Sequence, residues 1–286
     1  MDSTSKTIGI IWQADFYRRP LRDDRGQSLW ELLLCDGHGW RYQTFCPQPE
    51  ANSNWLAAQL QMAAGENLPL ALEVFRPQSL SLLRLAGEGL GINVIPTRRT
   101  PQLKGWLQEL AIAYPRDPHY TCEPYEPVIV EQLPPLPMPE NLWGEQWRFA
   151  SLRAGDLVRE FGDRPLRVRS LPEDLLPLKL GLASTVLIPG VIIDGGKQSL
   201  PLARWLESTQ PVSLEYIAGQ PDGLLLQSGL CDRWVIVTFK DDEVRQAAQT
   251  FAVRQQLAKG LHFLLVQPDN SGMTYTGFWL LKKEKS

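Results

Sequence analysis

Apolar and aromatic residues concentrate in three short runs near the start of the chain, at 9–17, 29–35 and 40–45, with polar turn compositions between them at 22–26 (Arg-Asp-Asp-Arg-Gly) and 36–39 (Asp-Gly-His-Gly). That pattern predicts a three-stranded antiparallel meander. The period then lengthens to helical spacing over 53–64, where Asn52 or Ser53 caps, Leu56, Leu60 and Ala63 share a face, and Gly65 follows the end. A strand at 70–75, a helix at 79–88 closed by Gly89 and Gly91, and a strand at 92–95 come next. Thr100 is a natural cap and Pro101 a natural first helical residue for the last helix, whose Leu103, Trp106, Leu107 and Leu110 recur at helical spacing. The half therefore runs β-β-β-α-β-α-β-α, the order of ribonuclease-H-like domains; a likeness of topology brings no activity with it.

Eight prolines between 115 and 139 are too dense for a helix or a central strand. They divide the chain into an N-terminal domain at 1–114, a linker at 115–140 and a C-terminal domain at 141–286. Trp143, Trp147 and a thread of six arginines (148, 153, 159, 164, 167, 169) run through a segment of strand, short helix and irregular structure. Beyond it the pattern is clearer: an apolar strand at 191–193, a helix capped by Ser199, strands at 212–217, 223–227 and 234–239, a helix led in by Asp241, Asp242 and Glu243, and strands at 262–267 and 275–281. In the last strand Trp279 and Leu281 alternate with Phe278 and Leu280, so both faces are apolar and the strand is expected to be covered on both sides, with the tail lysines 282, 283 and 285 in solvent. The expected class is α+β in two domains, the second an α-β-β-β-α-β-β mixed sheet.

Composition narrows the function classes. The 286 residues are 43% hydrophobic and 21% charged, which is ordinary for a globular protein. With 29 basic against 32 acidic residues the net charge is -3, so nucleic-acid binding requires a local basic patch. Four scattered cysteines and three histidines make neither a disulfide framework nor a zinc set, and no apolar run approaches the ~18 residues of a membrane span. A reduced, cytoplasmic protein with no membrane insertion, metal or cofactor is expected.

No phosphate-binding P-loop, nucleophile elbow or metalloprotease helix occurs. Gly87-Glu-Gly-Leu-Gly91 lies after a helix and before a strand, the reverse of a dinucleotide loop. Asp15, Asp36 and Glu73 lie in or beside predicted strands, where a nuclease would need clustered acids for Mg²⁺. A turn role for Asp36 and a strand-edge position for Asp15 are the plainer readings, and no catalytic residue is assigned. Tyr17, Arg18 and Arg19 set an aromatic beside two guanidiniums, and Arg98 and Arg99 occupy a loop leading into a helix N-terminus. Such groups suit phosphate and unpaired bases. They fit equally well as solvated or acid-paired arginines, with Trp12 and Phe16 in the core.

Several blocks, in this order, resemble the Tab/Atab family of oxygenic phototrophs: Asp15-Phe-Tyr-Arg-Arg-Pro20, Leu29-Trp-Glu-Leu-Leu-Leu-Cys-Asp36, Ile95-Pro-Thr-Arg-Arg-Thr100, Asn141-Leu-Trp-Gly-Glu-Gln-Trp147, Ile188-Pro-Gly190, Asp232-Arg-Trp234, Gly260-Leu-His-Phe-Leu-Leu-Val-Gln267 and Gly277-Phe-Trp-Leu-Leu281. The resemblance implies a non-catalytic RNA-binding protein, of cyanobacterial type, that supports translation of photosystem I reaction-centre mRNA and photosystem biogenesis. Implied partners are single-stranded photosystem RNA and translation or assembly factors. Two departures stand out, Gln13-Ala14 and Asp194-Gly-Gly-Lys197, the second of which weakens a phosphate role for that loop. The rival readings are a protein scaffold for photosystem assembly and a metal-dependent nuclease of ribonuclease-H-like fold. The expected RNA contacts are Tyr17, Arg18, Arg19, Arg98 and Arg99.

Overall fold

A computed structural model of the chain describes residues 10–284; Gly9, at the start of the first predicted strand, and Lys285, in the tail, lie outside them. The contacts divide the chain into two compact units, one ending at Glu131 and the other beginning at Gln132.

The first unit contains β1 (Ile11–Arg22), β2 (Ser28–Cys35), β3 (Arg41–Pro47), α1 (Ser53–Ala64), β4 (Ala71–Val74), α2 (Pro77–Glu88), β5 (Asn93–Pro96) and α3 (Pro101–Ala113). Its sheet has the order β3-β2-β1-β4-β5, with the meander antiparallel and β4 and β5 parallel to β1. The meander turns where the composition requires: at the second hairpin Asp36 Oδ1 accepts from the His38 and Trp40 N–H groups, and Gly39 takes φ +98°. Asp36 is therefore a turn residue.

Alternation along β1 and β2 builds two cores. Trp12, Ala14, Phe16, Leu32 and Leu34 face α1 and α2, whose Leu56, Leu60, Leu83 and Ala86 cover them. Leu33, Cys35 and Phe75 face Leu103, Trp106 and Leu107 of α3. Trp12 and Phe16 are thus core residues. Asn52 caps α1 through the Trp55 N–H, as its sequence position suggests. Thr100 does not cap α3, because its side chain makes no cap bond; the Gln13 side-chain carbonyl from β1 accepts from the Leu103 N–H at 3.0 Å instead. Gln13, a departure from the family pattern, thereby ties the central strand to the helix.

Residues 114–130 pack on this unit: Tyr120 bridges to Leu21, the Thr121 N–H donates to Pro20 O, and Arg76 donates to Pro127 O at 2.6 Å.

The second unit contains β6 (Leu136–Pro137), β7 (Gln146–Arg153), α4 (Ala154–Phe161), β8 (Val168–Ser170), β9 (Leu187–Asp194), α5 (Ser199–Thr209), β10 (Pro211–Ile217), β11 (Asp222–Ser228), β12 (Asp232–Phe239), α6 (Asp242–Leu257), β13 (Leu261–Gln267) and β14 (Gly277–Lys282). One sheet runs β7-β9-β13-β14-β8 and the other β10-β11-β12-β6. Asp241 caps α6 by accepting from Glu243 and Val244 N–H groups, whereas Ser199 is the first helical residue of α5 and not its cap. Val191, Ile193, Leu264, Val266, Trp279 and Leu281 face one core, while Phe263, Leu265, Phe278 and Leu280 face another with Leu157 and Phe161 of α4. Trp279, Leu280 and Leu281 are all buried, as the two-sided pattern implies. Lys283 departs from the solvated tail, since its Nζ lies 2.5 Å from Glu215 Oε1.

Candidate nucleic-acid interface

The C-terminal ends of β1, β4 and β5 bring several of the first unit's charged residues to one edge of its sheet. Register places Gln13 beside Glu73 and Glu73 beside Ile95, so Asp15, Arg76 and the 97–100 loop all follow at the same edge of the sheet. That edge is where parallel strands offer their loops to a ligand.

β1 continues past the predicted end at Tyr17 to Arg22, and strand alternation then governs the arginines. Arg19 shares a face with Asp15 and is turned inward; Arg18 is turned the other way. The Arg19 guanidinium is fully buried, with Nη2 2.9 Å from Asp15 Oδ2, Nε on Glu31 Oε2 and Nη1 2.9 Å from the Tyr125 hydroxyl. Arg19 is therefore corrected from an RNA contact to a structural residue: a phosphate cannot reach it.

Asp15 is equally enclosed, which also corrects its reading as a strand-edge acid. Its Oδ1 accepts from Arg76 Nε at 2.8 Å and from Ser79 Oγ at 3.3 Å, and its Oδ2 from Arg19. Glu31 accepts further from Tyr114 and Gln43. Two acids and two arginines thus cancel in charge, and each carboxylate is met by donors, as buried ions require. Burial alone would raise the Asp15 pKa, but the Arg76 and Arg19 guanidiniums outweigh it and hold the carboxyl below its ordinary value. Burial likewise opposes the Arg19 charge, and Asp15 and Glu31 reverse that, leaving its pKa raised. Burial first, with Arg19 opposing, pushes the Tyr125 phenol up to about 12, so it stays protonated. Glu73 accepts from Gln13 at 3.3 Å and does not contact Asp15 through any of these bonds. Among the described residues no group of three or more His, Cys, Asp or Glu is arranged to hold a metal ion. In the Asp15 centre the Asp15 and Glu31 carboxylates are met by guanidiniums, a hydroxyl, a phenol and an amide, an arrangement that braces the sheet.

The remaining sequence-derived contacts stay near the surface. Arg18 is half exposed and lies 3.4 Å from Glu123. Tyr17 is half-buried, with the Arg76 guanidinium 4.3 Å from its ring centroid. Arg98 and Arg99 are partly buried in the loop before α3, where the Arg98 carbonyl accepts from Lys104 Nζ and the Arg99 N–H donates to Thr97 Oγ1.

The second unit holds a feature the sequence did not single out. Arg164, Arg167 and Tyr275 line an open cavity of about 630 Å³, and Arg204 lines a neighbouring one of about 370 Å³. The six-arginine thread was visible in the sequence, but Arg204 and Tyr275 join it only because β8 pairs with β14 (Val168 beside Gly277) and α5 lies alongside. Long-range pairing of this kind leaves no local signal.

Residues 11–110 match the family model described as RNA-binding protein Tab2/Atab2 N terminal, and residues 125–282 match that described as RNA-binding protein Tab2/Atab2, C-terminal domain. The chain is 30% identical over 277 residues to the chloroplastic protein TAB2 homolog of Zea mays, covering 94% of this chain and 70% of that one. It is 30% identical over 280 residues to the chloroplastic protein TAB2 homolog of Arabidopsis thaliana, covering 94% and 74%. A solved simian T-cell lymphotropic virus intasome in complex with PP2A regulatory subunit B56 gamma overlaps 50% of this chain and 65% of that chain at 16% identity and a TM-score of 0.24, too low to carry an argument. With both halves matched in order and two plant relatives aligned over most of their length, the chain belongs to the Tab2/Atab2 family of RNA-binding proteins.

Proposed function

We propose that this chain binds single-stranded RNA without cleaving it, that it acts in the cytoplasm, and that the RNA it serves is photosystem I reaction-centre mRNA, whose translation it supports together with translation or assembly factors. The observation that carries the RNA reading is the match of both halves to models of an RNA-binding family. The chloroplastic designation of the plant relatives accords with a photosynthetic message. Binding without cleavage is favoured by the Asp15 carboxylate, whose oxygens are taken by Arg19, Arg76 and Ser79.

Arg18, Arg98 and Arg99 supply the phosphate contacts of the first unit, and Tyr17 an aromatic surface beside them. Because the net charge is -3, affinity comes from such local groups and not from an overall field. Fluorescence anisotropy of a labelled single-stranded RNA across salt concentrations tests this. Each lost phosphate contact flattens the log–log salt slope by about 0.7, so replacing Arg18, Arg98 and Arg99 by Ala flattens it by about 2. An unchanged slope in the folded variant contradicts the assignment of these residues.

A further inference from the structure

We propose that the groove formed by the α4–β8 loop, α5 and the β13–β14 loop is a second RNA site, holding one or two nucleotides of a single strand with phosphates on Arg167 and Arg204 and a base against the Arg164–Tyr275 stack. The inference rests on the RNA-binding reading above and extends it to the second unit.

The groove has two lobes that share Arg167 and Leu200. The larger, about 630 Å³, is walled by Arg164, Pro165, Met273, Thr274 and Tyr275 among others; the smaller, about 370 Å³, by Val168, Arg204 and Glu207. Volumes of a few hundred Å³ suit a small organic unit and far exceed what a bare ion needs. Two of the guanidiniums come from the α4–β8 loop and the third, Arg204, from α5, yet all line one depression.

Their pairing states differ in a way that points to a ligand. Arg164 is committed: it lies 3.6 Å from Glu160 and its guanidinium sits 4.7 Å from the Tyr275 ring centroid. A planar guanidinium on a ring makes a flat, rigid surface of the kind on which bases stack. Arg167 and Arg204 are exposed, and their side chains make no hydrogen bond or ion pair among the described residues. Neighbouring Arg169 is instead tied to the Gly162 carbonyl, which fixes the loop carrying Arg164 and Arg167. One acid, Glu207, lines the smaller lobe and leaves the groove with a positive excess.

A chain of phosphates with flat bases matches this alternation of unpaired cations and a stacked planar surface. A phosphopeptide offers the charge without the planar repeat, so it is the less favoured occupant.

The test uses the full chain and two variants, Arg167→Ala/Arg204→Ala and Tyr275→Leu, with a labelled 12-nucleotide single-stranded RNA in anisotropy titrations at 50–300 mM salt. Exposed, unpaired arginines are replaced with little effect on stability, so the double variant is expected to keep the wild-type Tm. It is expected to bind about tenfold more weakly at low salt and to flatten the log–log slope by about 1.4, two contacts at roughly 0.7 each. Tyr275→Leu is expected to weaken RNA binding while leaving the slope intact, since a base contact carries no counterion. If the wild type binds RNA and the double variant keeps the wild-type affinity and slope, the groove is not an RNA site, although the RNA-binding reading stands. If the wild type binds no RNA at any salt, both fall. Binding of a phosphoserine peptide in place of RNA, lost in the same double variant, overturns RNA as the occupant.

Discussion

Replacing Asp15 by asparagine distinguishes a structural acid from a metal-binding one, because the two roles give stability changes of different sign. The wild-type carboxylate is fully buried and accepts from Arg19 at 2.9 Å, Arg76 at 2.8 Å and Ser79 at 3.3 Å. An amide keeps the shape but removes the charge between two guanidiniums and turns an N–H donor toward one of them. Arg19 keeps the Glu31 carboxylate as a partner, whereas Arg76 keeps the neutral Pro127 carbonyl and the Tyr17 and Phe75 rings. Breaking one side of a buried ion set typically costs about 3–5 kcal/mol. That is a large share of the ~5–15 kcal/mol that holds a domain together. At a urea m-value of ~2 kcal/mol/M, the unfolding midpoint of the first unit falls by roughly 2 M. Urea titration read by hydrogen exchange on peptides from β1, β2 and β4 isolates that unit from the second. The pH dependence has a defined sign. The folded-state pKa of Asp15 lies below its ordinary 3.8, so its contribution is present above that value and is lost as pH falls through the lowered one. Wild type and variant therefore converge in acid. An acid placed to hold a cation repels its neighbours in the empty site, and its amide variant is neutral or more stable. A midpoint for Asp15→Asn at or above wild type refutes the bracing role.

Three further outcomes are expected. His262 is buried, accepts from the Leu214 N–H on Nε2 and is pushed down to about 4 by burial, so stability of the second unit is full above pH 6.5 and falls by up to ~3 kcal/mol between pH 6.5 and 4; thermal melts across that range check it, and His262→Gln should flatten the dependence. Gly190→Ala should cost ~1–3 kcal/mol, because a Cβ there would lie 2.4 Å from the Phe263 ring, and a smaller residue at 263 should recover part of the loss in denaturant midpoint. Trp279→Ala should cost roughly 3–5 kcal/mol and lose RNA binding only through unfolding; unchanged Tm with lost binding would make Trp279 a contact residue despite its burial.

Most elements were legible because the cores are periodic, whereas β7, α4 and β8 lie in the arginine-threaded segment read only as strand, short helix and irregular structure, and β6 lies in the expected linker. Phe263 and Leu265 alternate with Leu264 and Val266, and α3 repeats its apolar residues at helical spacing, so local pattern and tertiary burial agree. The candidate site was less legible, for two reasons. Ending the first apolar run at Tyr17 left Arg18 and Arg19 outside the strand, so alternation was not applied to them; the strand runs to Arg22, and alternation buries one of them. With that extension, Asp15 and Arg19 fall on one face, and Glu31 joins them because it sits opposite Tyr17. The cap of α3 and the groove around Arg167 depend on residues distant in sequence, Gln13 for Leu103 and Tyr275 for Arg164, and no window of neighbouring residues contains either pair.

The most direct test of RNA binding without cleavage is a single incubation of labelled single-stranded RNA with the purified chain and Mg²⁺ or Mn²⁺, split between a native and a denaturing gel. A retarded, salt-sensitive complex on the native gel with full-length RNA on the denaturing one is the expected result. Shortened RNA that appears only with the added metal ion would contradict it, as would the absence of any complex at low salt.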